Sequence, residues 1–288
     1  MSKEKILITG AAGQLGTAIQ EIFSDSDYEM IPLGKIELNI TNHNQIETVF
    51  NKYRPTIVIN CAAYNKVEDA GEEIMEAFSQ NAFGPYWLAL ESKSIGATLI
   101  HISTDYVFDG KRGKYTENDC PCPLNVYGTS KLAGERLAQA TNPNCIIIRT
   151  SWLFGLSLKN KSRNFVTNML ARAKKDVEVR VVNDQWGCPT YTSDLAIKIR
   201  ELLEKKVAPG IYHVVNDGPC TWYDFAKKIF ELTNCDSKLV PITTEESGTR
   251  LQRPRSSILI SSKLKDLGVM NLRPWSEALL EYLNELNN

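Results

Sequence analysis

The segment that most constrains this chain begins at Lys5. Lys5-Ile6-Leu7-Ile8-Thr9 is a short apolar run of the strand type, and Gly10-Ala11-Ala12-Gly13-Gln14-Leu15-Gly16 follows it directly. A helical pattern then covers residues 13–23. Three glycines spaced three apart permit a tight turn, close approach of another group to the backbone, and close packing of helix on strand. A helix that starts in such a turn points unpaired N–H groups and the positive end of its dipole outward, which suits a phosphate. Alone, the glycine pattern is a weak mark. Between the first strand and first helix of a βαβ series it is the fingerprint of a dinucleotide-binding fold.

The first half of the chain continues in that rhythm. Residues 28–33 read as a second strand, 44–53 as a helix and 55–60 as a third strand. A long helical stretch spans 74–92, followed by a strand at 97–103, a helix at 129–140 and a strand at 145–149. Short apolar strands alternating with amphipathic helices give a parallel sheet covered on both faces, and right-handed crossovers make it doubly wound. Past Leu156 the pattern changes. Helices are expected at 165–174, at 193–205 with Thr192 or Ser193 as cap, at 221–232 capped by Thr221, and at 274–286; strands are expected at 178–182 and 210–215. The expected architecture is α/β. A doubly wound parallel-sheet Rossmann fold occupies residues 1–156, and a smaller α+β substrate lobe occupies most of 157–288, with segments near 185–215 returning to the Rossmann domain.

Composition narrows the function classes. Lys+Arg 33 against Asp+Glu 34 gives a net charge of −1, without the broad basic footprint of a nucleic-acid binder. A local cationic pocket for a small anion remains compatible with that balance. The first apolar run, Ile6 to Ile8, is too short for a leader or a membrane span, and no later run approaches that length, so no membrane association is expected. Seven scattered cysteines, an odd number, fit a reducing cytoplasm. Cys120 and Cys122 flank Pro121 with no second pair at zinc spacing, and no metal is expected. His43, His101 and His213 lack a Ser or Cys partner pattern, which argues against a hydrolase.

The chemistry concentrates in two places. The strand at 97–103 leads into Ser103-Thr104-Asp105-Tyr106-Val107-Phe108-Asp109-Gly110, placing hydroxyls at the strand end where ligands bind in such sheets. Downstream, Tyr127 and Lys131 stand four apart and share a helical face. A tyrosine with a pKa of about 10 is a poor acid–base group near neutrality. A neighbouring ammonium is expected to lower it, and a Thr hydroxyl to hold a carbonyl oxygen. Thr104, Tyr127 and Lys131 beside a nicotinamide therefore suit hydride transfer to a ketone. At the end of the second strand the chain reads Gly34-Lys35, without the acid that usually meets a ribose 2′-hydroxyl. NADPH is the expected cofactor, with NADH as the alternative.

These strings resemble the extended short-chain dehydrogenase/reductases, and within them the dTDP-4-dehydrorhamnose reductase family. The resemblance runs through nearly the whole chain. It also rests on Asn60-Cys61-Ala62-Ala63-Tyr64, Arg149-Thr150-Ser151-Trp152, Asn164-Phe165, Asp184-Gln185-Trp186-Gly187-Cys188-Pro189-Thr190 and Arg253-Pro254. It implies reduction of the C4 ketone of a 4-keto-6-deoxy sugar nucleotide, a nucleotide-sugar partner, and a monomer or homodimer. Gly10, Gly13, Gln14, Leu15, Gly16, Lys35, Asn39, Ile40, Cys61, Ala62, Ala63, Tyr64, Tyr127 and Lys131 fall at cofactor positions. Asn65, Val67, Thr104, Asp105, Trp152 and Arg253 fall at substrate positions, and Asn81 matches a structural asparagine of the family.

The chain also departs from the pattern. Asn65-Lys66-Val67-Glu68 stands where the family has Thr-x-Val-Asp, and Gln252-Arg253-Pro254-Arg255-Ser256-Ser257 where it has Arg-Arg-Pro-x-Asn-Ser. Ala18 replaces a glutamate that some members use for magnesium. The cofactor end is intact and the sugar end altered. Arg163, Arg250, Arg253 and Arg255 are candidates for gripping a substrate diphosphate, and Trp186 and Trp222 read as core or lobe-interface residues. A non-catalytic NADP-binding regulatory subunit, like that of methionine adenosyltransferase, and a sugar-nucleotide epimerase are the rival readings.

Overall fold

A computed structural model describes residues 3–158, 163–175 and 177–287. Six strands form one fully parallel sheet: β1 (Lys5–Thr9), β2 (Glu29–Leu33), β3 (Ile57–Asn60), β4 (Thr98–Thr104), β5 (Cys145–Thr150) and β6 (Gly210–His213). Their order across the sheet is β2-β1-β3-β4-β5-β6. The order reverses between β1 and β3, and the carboxyl ends of these two strands therefore open a crevice.

The apolar runs explain this arrangement. Ile6, Ile8, Ile57, Ile59, Ile100, Ile102, Ile146 and Ile148 face one side, where α1 (Gln14–Ile22) and the helix Thr192–Glu204 cover them. Leu7, Val58, Leu99 and Ile147 face the other, under α2 (His43–Tyr53) and the helices that follow β3 and β4. With both faces buried, a strand has no polar side and reads as a continuous hydrophobic run.

The helix expected over 74–92 is interrupted. α3 (Ile74–Phe78) passes through a π turn at Ser79–Phe83 into α4 (Gly84–Ser94). The widened turn aims Asn81 inward, where its Oδ1 accepts from the Tyr64 amide at 2.9 Å and its Nδ2 donates to the Tyr64 carbonyl and Ser130 Oγ, each at 3.1 Å. Gly134 lets the next helix approach this turn, because a Cβ there would lie 2.0 Å from the Asn81 carbonyl oxygen. That helix, α5 (Val126–Thr141), starts before the expected residue 129, because the Asn125 side chain caps it by accepting from the Gly128 amide at 2.9 Å.

Past β5, α6 (Phe165–Ala173), the helix Trp222–Leu232 and the C-terminal helix Trp275–Asn287 surround a second core of Phe154, Val166, Tyr191, Phe225 and Tyr282. Thr221 caps its helix through a reciprocal capping box with Asp224, as expected. The expected cap by Thr192 or Ser193 is corrected. Tyr191 is the N-cap and no side chain bonds there; Thr192 is the first residue of the helix, fully buried, with its Oγ1 packed close against Gly155. No helix among the described residues is long and apolar enough to cross a membrane.

Candidate active site

The glycine turn is built by close backbone contacts. Gly10 has φ +64°, and a Cβ there would lie 2.8 Å from the Ala62 amide nitrogen, so β1 and β3 meet only with glycine at this position. A Cβ at Gly16 would lie 2.5 Å from the Gly10 carbonyl oxygen. Gly13 is the N-cap of α1 and offers no side chain, so the first amides of the helix face the crevice instead of a capping group. Two adjoining cavities open there. One, of about 440 Å³, runs from Gly13, Gln14, Leu15 and Gly16 to Thr104, Tyr127 and Lys131, and on to Trp152 and Arg253. The other, of about 250 Å³, is lined by Gly34, Lys35, Asn39, Ile40, Ala62 and Ala63. Gly10, Gly13, Cys61, Ala63 and Asn65 belong to both walls. Uncapped helix amides at the centre and a lysine at the outer end fit a phosphorylated dinucleotide lying across the turn.

At the inner end the catalytic candidates converge. Thr104 ends β4, and its Oγ1 accepts from the Tyr106 amide at 3.2 Å and donates to Asp105 Oδ1 at 3.1 Å. The Thr104 hydroxyl near the Tyr127 phenol favours its ionised form. Burial outweighs that contact and pushes the phenol well above the ordinary tyrosine value, with Asp105 and Tyr106 adding to the rise. The expectation that Lys131 lowers Tyr127 is therefore corrected. The Lys131 ammonium donates to the Ile102 carbonyl at 2.6 Å, with the Glu135 carboxylate and the Cys61 thiol as its titratable neighbours. Burial draws the Lys131 pKa down to about 8, opposed by Glu135.

Asp105 is 2 % exposed, and burial raises its pKa to about 6 against the hydrogen bonds from Ser257 and Thr104. Ser257 Oγ donates to Asp105 Oδ2 at 2.5 Å from 152 residues away. Behind β4, Glu135 accepts from Arg149 Nε at 2.9 Å, from Arg149 Nη2 at 2.7 Å and from Ser103 Oγ at 2.5 Å, all three residues being buried. This network and the Asp105–Ser257 bond were not legible from motif spacing, since they join segments far apart in the chain.

Most expected site residues line the two cavities. Tyr64 does not: it is buried, with its hydroxyl donating to Glu73 at 2.8 Å. Of the four candidate arginines only Arg253 reaches the wall, while Arg163, Arg250 and Arg255 are exposed elsewhere. Trp222, read from sequence as core or interface, lines the cavity and stacks on Trp152 with ring centroids 3.5 Å apart and planes at 8°. Trp152 itself has φ +49°, a conformation rare for a bulky residue. Trp186 is 42 % exposed and outside the cavity. Glu37, three residues beyond Gly34, turns back to accept from the Gly34 amide at 3.0 Å. Ala18 is buried in α1 and offers no ligand atom.

A sequence profile of the RmlD substrate binding domain matches residues 4–288. The spore coat polysaccharide biosynthesis protein SpsK of Bacillus subtilis is 43 % identical, with 98 % of this chain and 97 % of SpsK aligned. A dTDP-4-dehydrorhamnose reductase from Aggregatibacter actinomycetemcomitans is 40 % identical over 96 % of this chain and 97 % of its own length. The crystal structure of a dTDP-4-dehydrorhamnose reductase from Bacillus anthracis in complex with NADP superposes with a TM-score of 0.94 at 42 % identity, covering 98 % of this chain and 99 % of that one. The glycine turn, the Thr104/Tyr127/Lys131 cluster and these full-length matches agree, and the chain belongs to the RmlD substrate-binding-domain family of short-chain dehydrogenase/reductase-like proteins.

Proposed function

We propose that this protein is an NADPH-dependent reductase of the C4 ketone of a 4-keto-6-deoxy sugar nucleotide, with dTDP-4-dehydro-L-rhamnose as substrate and dTDP-L-rhamnose as product. The observation that carries the reading is the convergence of Thr104, Tyr127 and Lys131 in the cavity that begins at the glycine turn. The reductases among its relatives support the choice of substrate.

When bound, the reduced nicotinamide supplies the hydride for the carbonyl carbon. The chain supplies the proton and the geometry. A phenol raised by burial keeps its proton, and Tyr127 is thus an acid in the correct form to protonate the oxygen as the ketone becomes an alcohol. Thr104 holds that oxygen with its hydroxyl, which sits beside the phenol. Lys131, cationic below about pH 8, places a positive charge at the floor of the cavity, where its ammonium is held by the Ile102 carbonyl. Lys35, at the outer cavity, would hold the 2′-phosphate that distinguishes NADPH. Asn65, Val67, Asp105, Trp152 and Arg253 line the sugar-nucleotide end.

The unit division we propose is a dinucleotide-binding part over residues 1–156 and a mainly substrate-binding part over 157–288. The later strand β6 on the sheet supports the return of a segment near 185–215. We place the protein in the cytoplasm, as a monomer or homodimer; seven free cysteines suit a reducing compartment. The test is NADPH oxidation followed by its absorbance with dTDP-4-keto-6-deoxy sugar, comparing wild type with Tyr127→Phe; general acid catalysis predicts a loss of about 10²–10⁴-fold in kcat. Equal turnover by the two proteins refutes the reading.

A further inference from the structure

The substrate end of the cavity holds a charge arrangement that the reduction itself does not use. Among the described residues lining this cavity the cations are Lys131 and Arg253. Lys131 is tied to the Ile102 carbonyl at the floor. Arg253 therefore is the cation at the outer wall, and it is already engaged. Its Nη1 donates to the Tyr106 hydroxyl at 2.8 Å, and its Nη2 pairs with the Glu68 carboxylate. The pair joins two segments far apart in the chain. Glu68 follows β3 and precedes the short turn Asp69–Gly71, whereas Arg253 lies 185 residues later, in a segment held down by Asn125 Nδ2 donating to the Gln252 carbonyl at 2.9 Å.

The two partners differ in how firmly they are fixed. The Arg253 side chain is 22 % exposed and anchored by Tyr106, whereas the Glu68 side chain is 56 % exposed and does not line the cavity. A guanidinium fork matches a phosphate as well as it matches a carboxylate. Glu68 can turn into solvent at little cost, while Arg253 stays on Tyr106 with its Nη2 donors exposed to a new anion. Glu68 also opens an acidic stretch, Glu68, Asp69, Glu72 and Glu73, balanced nearby by Lys66, which lies 3.9 Å from Asp69 and 3.4 Å from Glu73.

We infer that Glu68 is an internal competitor for the substrate's phosphate: it occupies Arg253 in the ligand-free cleft and is displaced by the diphosphate of the sugar nucleotide. This rests on the reading of the cavity as a sugar-nucleotide site. The consequence is selectivity. A ligand gains Arg253 only if it carries an anion able to replace the carboxylate, and the measured affinity for that anion is reduced by the fraction of Arg253 held by Glu68.

Calorimetric titration of the NADP⁺-loaded protein with dTDP tests this across wild type, Glu68→Gln, Arg253→Gln and the double variant. Loss of a partly exposed ion pair predicts that Glu68→Gln binds dTDP roughly fivefold tighter. Arg253→Gln is expected to bind it about tenfold more weakly or worse, and Glu68→Gln to change nothing beyond about twofold once Arg253 is gone. Glu68→Ala serves as a second variant with the same expectation. Unchanged or weaker dTDP binding by both Glu68 variants overturns the inference. So does an equal gain in the Arg253→Gln background, which means plain repulsion at the mouth. If wild type turns over the keto sugar while the cycle fails, only this inference falls. If wild type binds no dTDP at all, the proposed function falls with it.

Discussion

Replacing Glu135 by Gln keeps the shape of the side chain and removes its charge. In the native protein that charge faces an arginine with side-chain exposure of 1 %, the carboxylate itself being at 0 %. Arg149 directs Nε and Nη2 to it at 2.9 and 2.7 Å, lies 5.1 Å from the centroid of the Phe108 ring, and has Nη1 3.5 Å from His213 Nε2. A guanidinium cannot shed its proton to escape burial. The variant therefore leaves a buried charge uncompensated, and the amide turns one acceptor of the Arg149 and Ser103 donors into another donor. Breaking a buried pair in this way costs about 3–5 kcal/mol, whereas replacing both partners by apolar residues of similar volume is often close to neutral. At about 2–4 °C per kcal/mol for a chain of this size class, Glu135→Gln is expected to lower Tm by about 10 °C. The double variant Glu135→Leu/Arg149→Met recovers most of that loss. Calorimetry or circular dichroism on the three proteins measures it. A Tm for Glu135→Gln within about 2 °C of wild type, or a double variant as unstable as the single one, refutes the reasoning.

Asp105 titrates near 6 in the fold against an ordinary value of 3.8, so its contribution to stability is present in acid and lost as pH rises through 6. The loss is about 3 kcal/mol, and urea titrations from about pH 4 to 7 should show Asp105→Asn removing that slope. Gly16→Ala forces a Cβ to within 2.5 Å of the Gly10 carbonyl; overpacking of about 1–3 kcal/mol is expected to distort the turn and weaken NADPH binding at least about tenfold by fluorescence titration. Lys35→Glu should weaken NADPH binding about tenfold and leave NADH binding nearly unchanged, if the 2′-phosphate sits at this position as proposed.

The sheet was legible because burial on both faces leaves a continuous apolar run, as in Ile57-Val58-Ile59 and Cys145-Ile146-Ile147-Ile148. Local chemistry made Thr221 legible as a cap and Gly10 and Gly16 as close approaches. What stayed hidden depends on partners far along the chain. The π turn at Ser79–Phe83 follows from Asn81 reaching Tyr64 and Ser130, and from Gly134 admitting α5, none of which shows in helical periodicity. Trp222 read as a core or lobe-interface residue and does pack against the second core; that it also lines the cavity has no local mark at a helix start. The links from Asp105 to Ser257 and from Arg253 to Glu68 are tertiary in the same sense. Tyr127 is the instructive case: its spacing to Lys131 suggested a lowered pKa, but burial and the Ile102 carbonyl decide the balance.

In the proposed reaction, hydride passes from NADPH to a C4 ketone in this cavity while Tyr127 supplies the proton. The most direct measurement uses NADPH deuterated at the transferring position with a dTDP-4-keto-6-deoxy sugar, and reads the product by nuclear magnetic resonance. One deuterium at C4 of the reduced sugar and stoichiometric formation of NADP⁺ are expected, both slowed about 10²–10⁴-fold in Tyr127→Phe. A product with no deuterium at C4, or one formed without net consumption of NADPH, contradicts it.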